Sequence, residues 1–369
     1  MLENFTANII KKIIRQLNGG VFSGRQNFSD HRRPQGFVVS TTTRCNFNCP
    51  HCLRSGIDKG KTLIKDLPIS VFEEVLMEGK KIDFKFVTFT GGEPILRPQF
   101  GELVSLVGKY DYEFNFATNG WLSKEYWEVI KEYKKNLGRI FLSLDGTTSK
   151  VHDAVRNKTG SFEKAIEAVK FYRNHNLAIT ASFCVTKKNL EEIENFPEFC
   201  LGLGINTIKY SAALPVYDNS GILNAEYVLT DKERIDAIKK ISILEERFKE
   251  CEFLITRSFY PASAALSSEA TFKKRKINLW SWCPMLDMIY IDHDGAMLFC
   301  CDINRDYKNK PLVQKLGFEK SLGITLNSVN EMRKRFLAAS LNNQKINRFC
   351  DFCNENFKDC LDLAKRQGP

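Results

Sequence analysis

Apolar and polar positions alternate along most of this chain in two rhythms. Short runs of β-branched, aromatic and aliphatic residues over 37–42, 84–90, 112–117, 139–144, 177–185 and 206–210 predict strands. Between them, apolar residues recurring at helical intervals predict helices near 68–80, 98–109, 123–136, 161–175, 188–203 and 231–248. Pro68 and Ser123 stand where helices begin. Strand–helix units in series imply an α/β fold with a parallel sheet and helices outside it, open or curled toward a barrel.

The alternation also predicts faces. In 140–145, Ile140, Leu142 and Leu144 form an apolar set, which should meet the helices. Phe141, Ser143 and Asp145 then point to the concave side. In 179–185, Ile179, Ala181, Phe183 and Val185 are the apolar set, leaving Thr180, Ser182 and Cys184 on the concave side. Polar residues on the inner face of two strands imply a ligand-holding lumen. A one-residue slip would invert each assignment.

The flanks differ from this core. Over residues 1–36, Ile9, Ile10, Ile13, Ile14 and Leu17 recur at helical spacing beside Lys11, Lys12 and Arg15. We read this as a helix packing on its own protein, the alternative being a membrane-surface helix; Gly19-Gly20 ends it. Residues 251–280 read as a connector. Residues 281–369 are cysteine-rich with few long apolar runs, the kind of segment stabilised by metal more than by a core.

Composition narrows the partners. No apolar stretch is long enough to span a membrane, and 1–20 lacks the run and cleavage site of a secretory signal, so a cytoplasmic location is expected. The net charge of +10 favours anionic partners. No Lys/Arg tract accompanies it, so dedicated nucleic-acid binding is not implied. Twelve cysteines in a chain without an export signal point to metal rather than disulfides, and most are clustered.

The first cluster, Cys45-x3-Cys49-x2-Cys52, lies in a loop directly after the first strand. Three thiolates can hold one metal centre. Zinc would want a fourth ligand, and His51 is too close in sequence to supply it easily. An iron–sulfur cube held by three cysteines leaves one iron open for a ligand. After the second strand comes Thr90-Gly91-Gly92-Glu93-Pro94, where two glycines permit close backbone approach and a carboxylate suits an ammonium group.

On these two motifs, residues 37–250 resemble the radical S-adenosylmethionine (AdoMet) enzymes. The resemblance implies a partial (β/α)6 barrel over 37–250, with Cys45, Cys49 and Cys52 holding a [4Fe–4S] cluster. It implies that Gly91, Gly92 and Glu93 meet the AdoMet amino group. It places Asn119 near the cofactor, Ser143 and Asp145 at its ribose and methionyl parts, and Arg156 at its carboxylate. The plain alternatives are a turn residue for Asn119 and a surface charge for Arg156. The implied chemistry is one-electron: AdoMet is cleaved to methionine and a 5′-deoxyadenosyl radical, which removes hydrogen from a substrate carbon.

Residues 285–291 and 298–301 read as a hairpin joined at Asp292-His293-Asp294-Gly295, with Cys283, Cys300 and Cys301 at its ends. Cys350-x2-Cys353 follows, and then Cys360. Spacing alone leaves zinc and iron–sulfur both open. The segment is similar to the SPASM or twitch extension of radical AdoMet enzymes. That resemblance implies one auxiliary [4Fe–4S] cluster on Cys283, Cys300 or Cys301, Cys350 and Cys353. The longer cysteine series of the full pattern is lacking, with only Cys360 after Cys353, so one cluster is expected, not two. Cys360 is an outside candidate whose alternative is a buried free thiol.

The resemblance to SPASM enzymes implies modification of a peptide or protein, by oxidation or cross-linking. Residues 1–36 are too short for a separate leader-peptide-binding domain. The alternative is a dehydrogenase or epimerase of a sugar-like or other small metabolite. For epimerisation Cys184 is the candidate hydrogen donor, against a plain packed thiol. A third reading is a non-catalytic iron–sulfur or AdoMet-binding scaffold. A flavodoxin- or ferredoxin-type electron donor would suit the basic surface.

Overall fold

The computed structural model describes residues 36–53, 64–218, 221–222, 224–259, 288–298, 311–341, 359–360 and 362–363. The expected N-terminal helix, most of the connector, and Cys283, Cys300, Cys301, Cys350 and Cys353 lie outside these residues.

Strands and helices alternate. In chain order they are β1 (Gly36–Ser40), α1 (Ile69–Lys81), β2 (Phe86–Thr90), α2 (Phe100–Lys109), β3 (Glu113–Thr118), α3 (Ser123–Ile130) and β4 (Leu137–Ser143). There follow α4 (Ser149–Arg156), α5 (Ser161–Asn174), β5 (Ile179–Val185), α6 (Phe196–Gly202) and β6 (Thr207–Ala212). A two-residue ribbon, β7 (Tyr217–Asp218) with β8 (Gly221–Ile222), precedes α7 (Asp231–Arg247) and β9 (Glu252–Ile255). The last described elements are β10 (Met288–Ile291), β11 (Met297–Leu298), α8 (Val313–Leu316) and α9 (Phe318–Leu341).

Among the described residues, nine strands form one open sheet in the order β11-β10-β1-β2-β3-β4-β5-β6-β9. Every neighbouring pair is parallel except β10 with β11. The α/β architecture and the six-unit core agree with the sequence pattern, and the sheet does not close.

The core lies between the sheet and the helices. Phe37, Val39, Val87, Phe89, Phe114, Phe116, Ile140, Leu142, Ala181, Phe183, Ile208 and Tyr210 are all buried on that side. Rings interlock there: Phe89 meets Phe100 of α2 at 5.5 Å, and Phe116 stacks on Tyr126 of α3 at 4.5 Å. Burying aromatic rings against several neighbours in this way dominates core energetics. The predicted facing of β4 and β5 holds, with Phe141, Ser143, Ser182 and Cys184 half-buried on the other side. Thr180 and Asp145 depart from an open lumen, because both are wholly buried.

Five features differ from the sequence pattern. Residues 252–255, inside the expected connector, form β9 against β6. The hairpin strand β10 pairs in parallel with β1, so it extends the main sheet. Phe318 at the start of α9 packs edge-on to Phe37, and its backbone N–H donates to Glu74 of α1. These long-range pairings leave no local periodicity to read. The expected 188–203 helix breaks into a short 3-10 turn and α6, restarting where Pro197 fits a first turn. Finally α4, absent from the periodicity, is a short helix capped by Thr148, whose hydroxyl accepts from Val151 N–H.

Asp153 joins α4 to α5. Its carboxylate accepts from the N–H groups of Gly160 and Phe162 and from the Ser161 hydroxyl, at 2.7–2.8 Å. Those donors are the otherwise unsatisfied N-terminal groups of α5. Desolvation pushes its pKa up, but these hydrogen bonds outweigh it and hold the carboxyl below its usual value. A carboxyl depressed in the fold contributes stability above its unfolded pKa, and loses it as pH falls through the folded value. Asp153→Asn should therefore lower the unfolding free energy at neutral pH. The gap between wild type and variant should close as pH drops below about 4, read by urea denaturation across pH. A gap constant over that range would refute the assignment.

Candidate functional site at the carboxyl edge of the sheet

In open parallel sheets ligands bind beyond the carboxyl ends of the strands, and the predicted site residues collect there. The cysteine loop leaves β1 through Thr41–Arg44 and is pinned on two sides. On one side Thr43 N–H donates to Lys65 carbonyl, Leu67 N–H donates to Thr41 carbonyl, and Arg44 pairs with Asp66 at 3.2 Å. On the other side lies the Gly91-Gly92 turn. Gly92 N–H donates to Thr42 carbonyl at 2.9 Å, and Glu93 N–H to Arg44 carbonyl at 2.7 Å. Gly91 has φ +129°, and a Cβ there would sit 2.6 Å from the Thr42 carbonyl oxygen. A Cβ on Gly92 would lie 1.8 Å from the Arg44 carbonyl oxygen. The two glycines thus let the cysteine-loop backbone approach.

Glu93 is turned inward. Tyr126 and Thr118 hydroxyls donate to one carboxylate oxygen at 2.5 and 2.9 Å, and Asn119 N–H donates to the other at 2.9 Å. The carboxyl is buried, and desolvation raises its pKa against those three donors. Its side chain is engaged by the protein, so the chain bearing it presents mainly backbone at this turn. Asn119 lies beside the cysteine loop, its side-chain amide donating to Asn46 Oδ1 at 2.8 Å. Phe47 of the same loop meets Trp121 edge-on.

Of the three thiols, Cys49 is buried, Cys52 half-buried and Cys45 exposed. Although Cys45 keeps an accessible surface, desolvation of its sulfur pushes it up to about 12, against the Phe47 backbone N–H. The charges of Glu93, Cys52 and Cys49 push Cys45 the same way. Among the described residues, no group of three or more His, Cys, Asp or Glu side chains has the arrangement that holds a single metal ion.

A second layer surrounds Cys49. The Arg156 guanidinium is 3.9 Å from its sulfur through Nη1 and pairs with Asp145 at 2.6 Å through Nε. Asp145 also accepts from Cys184 N–H at 2.7 Å, while its own N–H donates to His152 Nδ1 at 3.1 Å. Asn189 clamps the same junction, its amide donating to the carbonyls of Asp145 and Cys184, both at 3.0 Å. Burial works against charge on Arg156, and Asp145 with the nearby thiols outweighs it, keeping it protonated. Burial lowers both His51 and His152 to about 4, so both imidazoles are neutral at neutral pH. His51 Nδ1 donates to Val155 carbonyl at 3.2 Å, and His152 Nδ1 is the acceptor of the Asp145 N–H.

The structure therefore brings Cys49, Asp145, Arg156 and Cys184 together, and Gly91, Gly92, Glu93 and Asn119 around the cysteine loop. Ser143 lies on the concave face at the end of β4, opposite Ser182. Cys184 is half-buried, with its thiol raised to about 12 by desolvation and by Asp145. Cys360 is buried, far along the chain, beside the Arg335–Asp359 pair. Sequence reasoning missed Tyr126, Thr118, Asn46, His152 and Asn189. Thr118 carried a signal, sitting at the carboxyl end of β3 next to the candidate Asn119.

Residues 39–200 match the family model described as the Radical SAM superfamily. The antilisterial bacteriocin subtilosin biosynthesis protein AlbA of Bacillus subtilis (strain 168) is 28% identical over 179 residues, 48% of this chain and 39% of AlbA. The AdoMet-dependent heme synthase of Methanosarcina barkeri (strain Fusaro / DSM 804) is 29% identical over 206 residues, 55% of this chain and 56% of the synthase. The matched stretch thus spans about half, or less, of these relatives' length. Streptococcus suis SuiB bound to S-adenosylmethionine superposes with a TM-score of 0.59 at 16% identity, over 75% of this chain and 63% of SuiB, a likeness of fold.

The close approach at Gly92 gives a test. Gly92→Ala must displace either the turn or Arg44, an overpacking cost of about 1–3 kcal/mol. Denaturant unfolding should show that loss, and limited proteolysis should show new cleavage within 43–53. An alanine variant as stable and as protected as wild type would contradict the packing.

Proposed function

Proceeding from residues 39–200 as a radical SAM domain, we propose that this chain is a radical AdoMet enzyme that modifies a peptide or protein. The observation that carries the reading is the three-thiol loop after β1, seated on the Gly91-Gly92 turn after β2, with Arg156 and Asp145 behind Cys49. Cys45, Cys49 and Cys52 would hold a [4Fe–4S] cluster, and Gly91, Gly92, Asn119, Ser143 and Asp145 would line the AdoMet side of it. When bound, the cluster and AdoMet would supply one-electron cleavage of AdoMet and hydrogen abstraction from the substrate.

The chain's own residues orient and shield. Glu93 fixes the Gly-Gly turn to Thr118, Asn119 and Tyr126 from below. Burial raises the Cys49 thiol, and the positive charge of Arg156 beside it works against that rise in favour of the thiolate. The concave faces of β4 and β5 border the substrate side. A bacteriocin-biosynthesis protein among the relatives supports a peptide substrate. We assign Cys283, Cys300 or Cys301, Cys350 and Cys353 to one auxiliary [4Fe–4S] cluster, and a flavodoxin- or ferredoxin-type donor to its reduction. Among the described residues, no helix is long and apolar enough to cross a membrane.

A small-metabolite substrate is the second reading, favoured by the heme-synthase relative and by Cys184. Its thiol stays protonated on the concave side, the form needed to give a hydrogen atom back.

Anaerobically prepared protein should hold about eight irons per chain and release 5′-deoxyadenosine on reduction with AdoMet. Replacing Cys45, Cys49 and Cys52 together by alanine should leave about four irons and no 5′-deoxyadenosine. Wild-type protein without iron, or triple-variant protein that still cleaves AdoMet, would refute the proposal. Cys184→Ser with full turnover would remove the hydrogen-donor role.

A further inference from the structure

The end of α4 clamps onto the cysteine loop through three consecutive residues. Val155 carbonyl accepts from His51 Nδ1 at 3.2 Å, and Asn157 Nδ2 donates to the Asn48 carbonyl at 3.5 Å. Between them Arg156 reaches the Cys49 sulfur, 3.9 Å from its Nη1. Asn157 stops the helix at this point, with φ +51° and its N–H on the Asp153 carbonyl.

The guanidinium is engaged on two sides. Nε meets the Asp145 carboxylate at 2.6 Å, while Nη1 meets the sulfur. Asp145 is wholly buried, and only 12% of the Arg156 side chain is exposed. Asp145 is itself held, since its carboxylate also accepts from Cys184 N–H at 2.7 Å. The pair is therefore a fixed dipole with its positive end toward Cys49. A neutral pair still acts on a neighbour when one member lies nearer, and burial keeps solvent from screening the difference. The Cys49 thiol carries the same sign. Burial raises it, Arg156 is the largest charge working against that rise, and Asp145 adds to it by less.

A dipole of this sign acts on reduction. One electron from the flavodoxin- or ferredoxin-type donor breaks no bond and leaves the thiolates and their cluster more negative by one charge. A positive group and an N–H donor at a ligand sulfur favour the reduced form, and so raise the potential.

We propose that Arg156, oriented by Asp145, raises the reduction potential of the cluster on Cys45, Cys49 and Cys52 and so brings it within reach of the donor. Asp145 positions the guanidinium and at the same time subtracts from its effect. This role rests on the proposed cluster. It differs from the one the resemblance assigns to Arg156, in which the guanidinium acts on the AdoMet carboxylate and not on the sulfur.

The test is a dithionite redox titration of the full, cluster-loaded chain without AdoMet, followed by electron paramagnetic resonance. The signal to follow is the one missing from the variant with Cys45, Cys49 and Cys52 replaced by alanine. Arg156→Met should make reduction about tenfold less favourable, a midpoint about 59 mV lower. Asp145→Asn keeps an acceptor for Cys184 N–H and for Arg156 but loses the negative charge, so its midpoint should rise. Arg156→Lys keeps the positive charge and should fall between wild type and Arg156→Met. General loosening of the site would not move the two halves of one pair in opposite directions. Should Arg156→Met hold fewer irons than wild type, Arg156→Lys and Asp145→Asn decide by the same signs.

Unmoved midpoints would overturn the proposal, as would shifts of one sign in Arg156→Met and Asp145→Asn alike. Arg156→Met protein that binds AdoMet about tenfold more weakly in calorimetry, at an unmoved midpoint, would return the residue to the carboxylate. A wild type whose cluster titrates, with variants shifting as described, but which yields no 5′-deoxyadenosine on reduction with AdoMet would refute the proposed chemistry and leave the tuning role standing.

Discussion

The backbone of Thr42–Arg44 lies against Gly91-Gly92 so closely that no side chain fits between them. Everything at the carboxyl edge follows from that contact. It fixes the height at which the thiol loop leaves β1, and it joins the first two strand–helix units at the point where a ligand would sit. The contact is held by two backbone hydrogen bonds from the turn to the loop. It is kept in place from beneath by Glu93, whose carboxylate ties the turn to the end of β3 and to α3. A buried carboxylate is tolerable only when its lone pairs are occupied, and here three donors occupy them. The motif therefore works as a joint between three strand ends, with the residues on it facing outward only through their backbone.

The second constraint is electrostatic. Asp145 and Arg156 are buried together beside Cys49, and a buried ion pair contributes little net stability while the loss of one partner costs about 3–5 kcal/mol. Its value here is orientation. Asp145 is locked by the N–H of Cys184 and by Asn189's grip on its carbonyl, so Arg156 has one place to go. That place is next to a cysteine sulfur. Two neutral histidines complete the shell without adding charge, which leaves the guanidinium as the cation that the sulfur meets.

How much of this could be read from residues alone depends on range. Period-two alternation in β4 and β5 assigned Ile140, Leu142, Ala181 and Phe183 to the core, because a strand's faces are a local property. The thiol loop and the Gly-Gly turn were legible for the same reason, each being contiguous and each following a strand. The inward turn of Glu93 was not, since its partners Thr118 and Tyr126 lie 25 and 33 residues away and carry no shared spacing. Nor was the parallel pairing of β10 with β1, which joins residues about 250 positions apart. The short helix α4 escaped because its eight residues contain too few turns for an apolar stripe, leaving only its Thr148 cap as a signal.

The concave face shows where the two kinds of information separate. Sequence alternation placed Thr180, Ser182 and Cys184 on one side and implied an open, polar lumen. The side is correct, but Thr180 is sealed, and so is Asp145 beyond the end of β4. Polarity on an inner face thus has two outcomes in one sheet. Asp145 closes on a guanidinium and the Cys184 N–H and becomes part of the scaffold. Thr180 and Ser182 have hydroxyl oxygens that find no hydrogen-bond partner among the described residues. Folding alone favours the first arrangement and disfavours the second, because unpaired buried groups cost stability that an apolar residue would not.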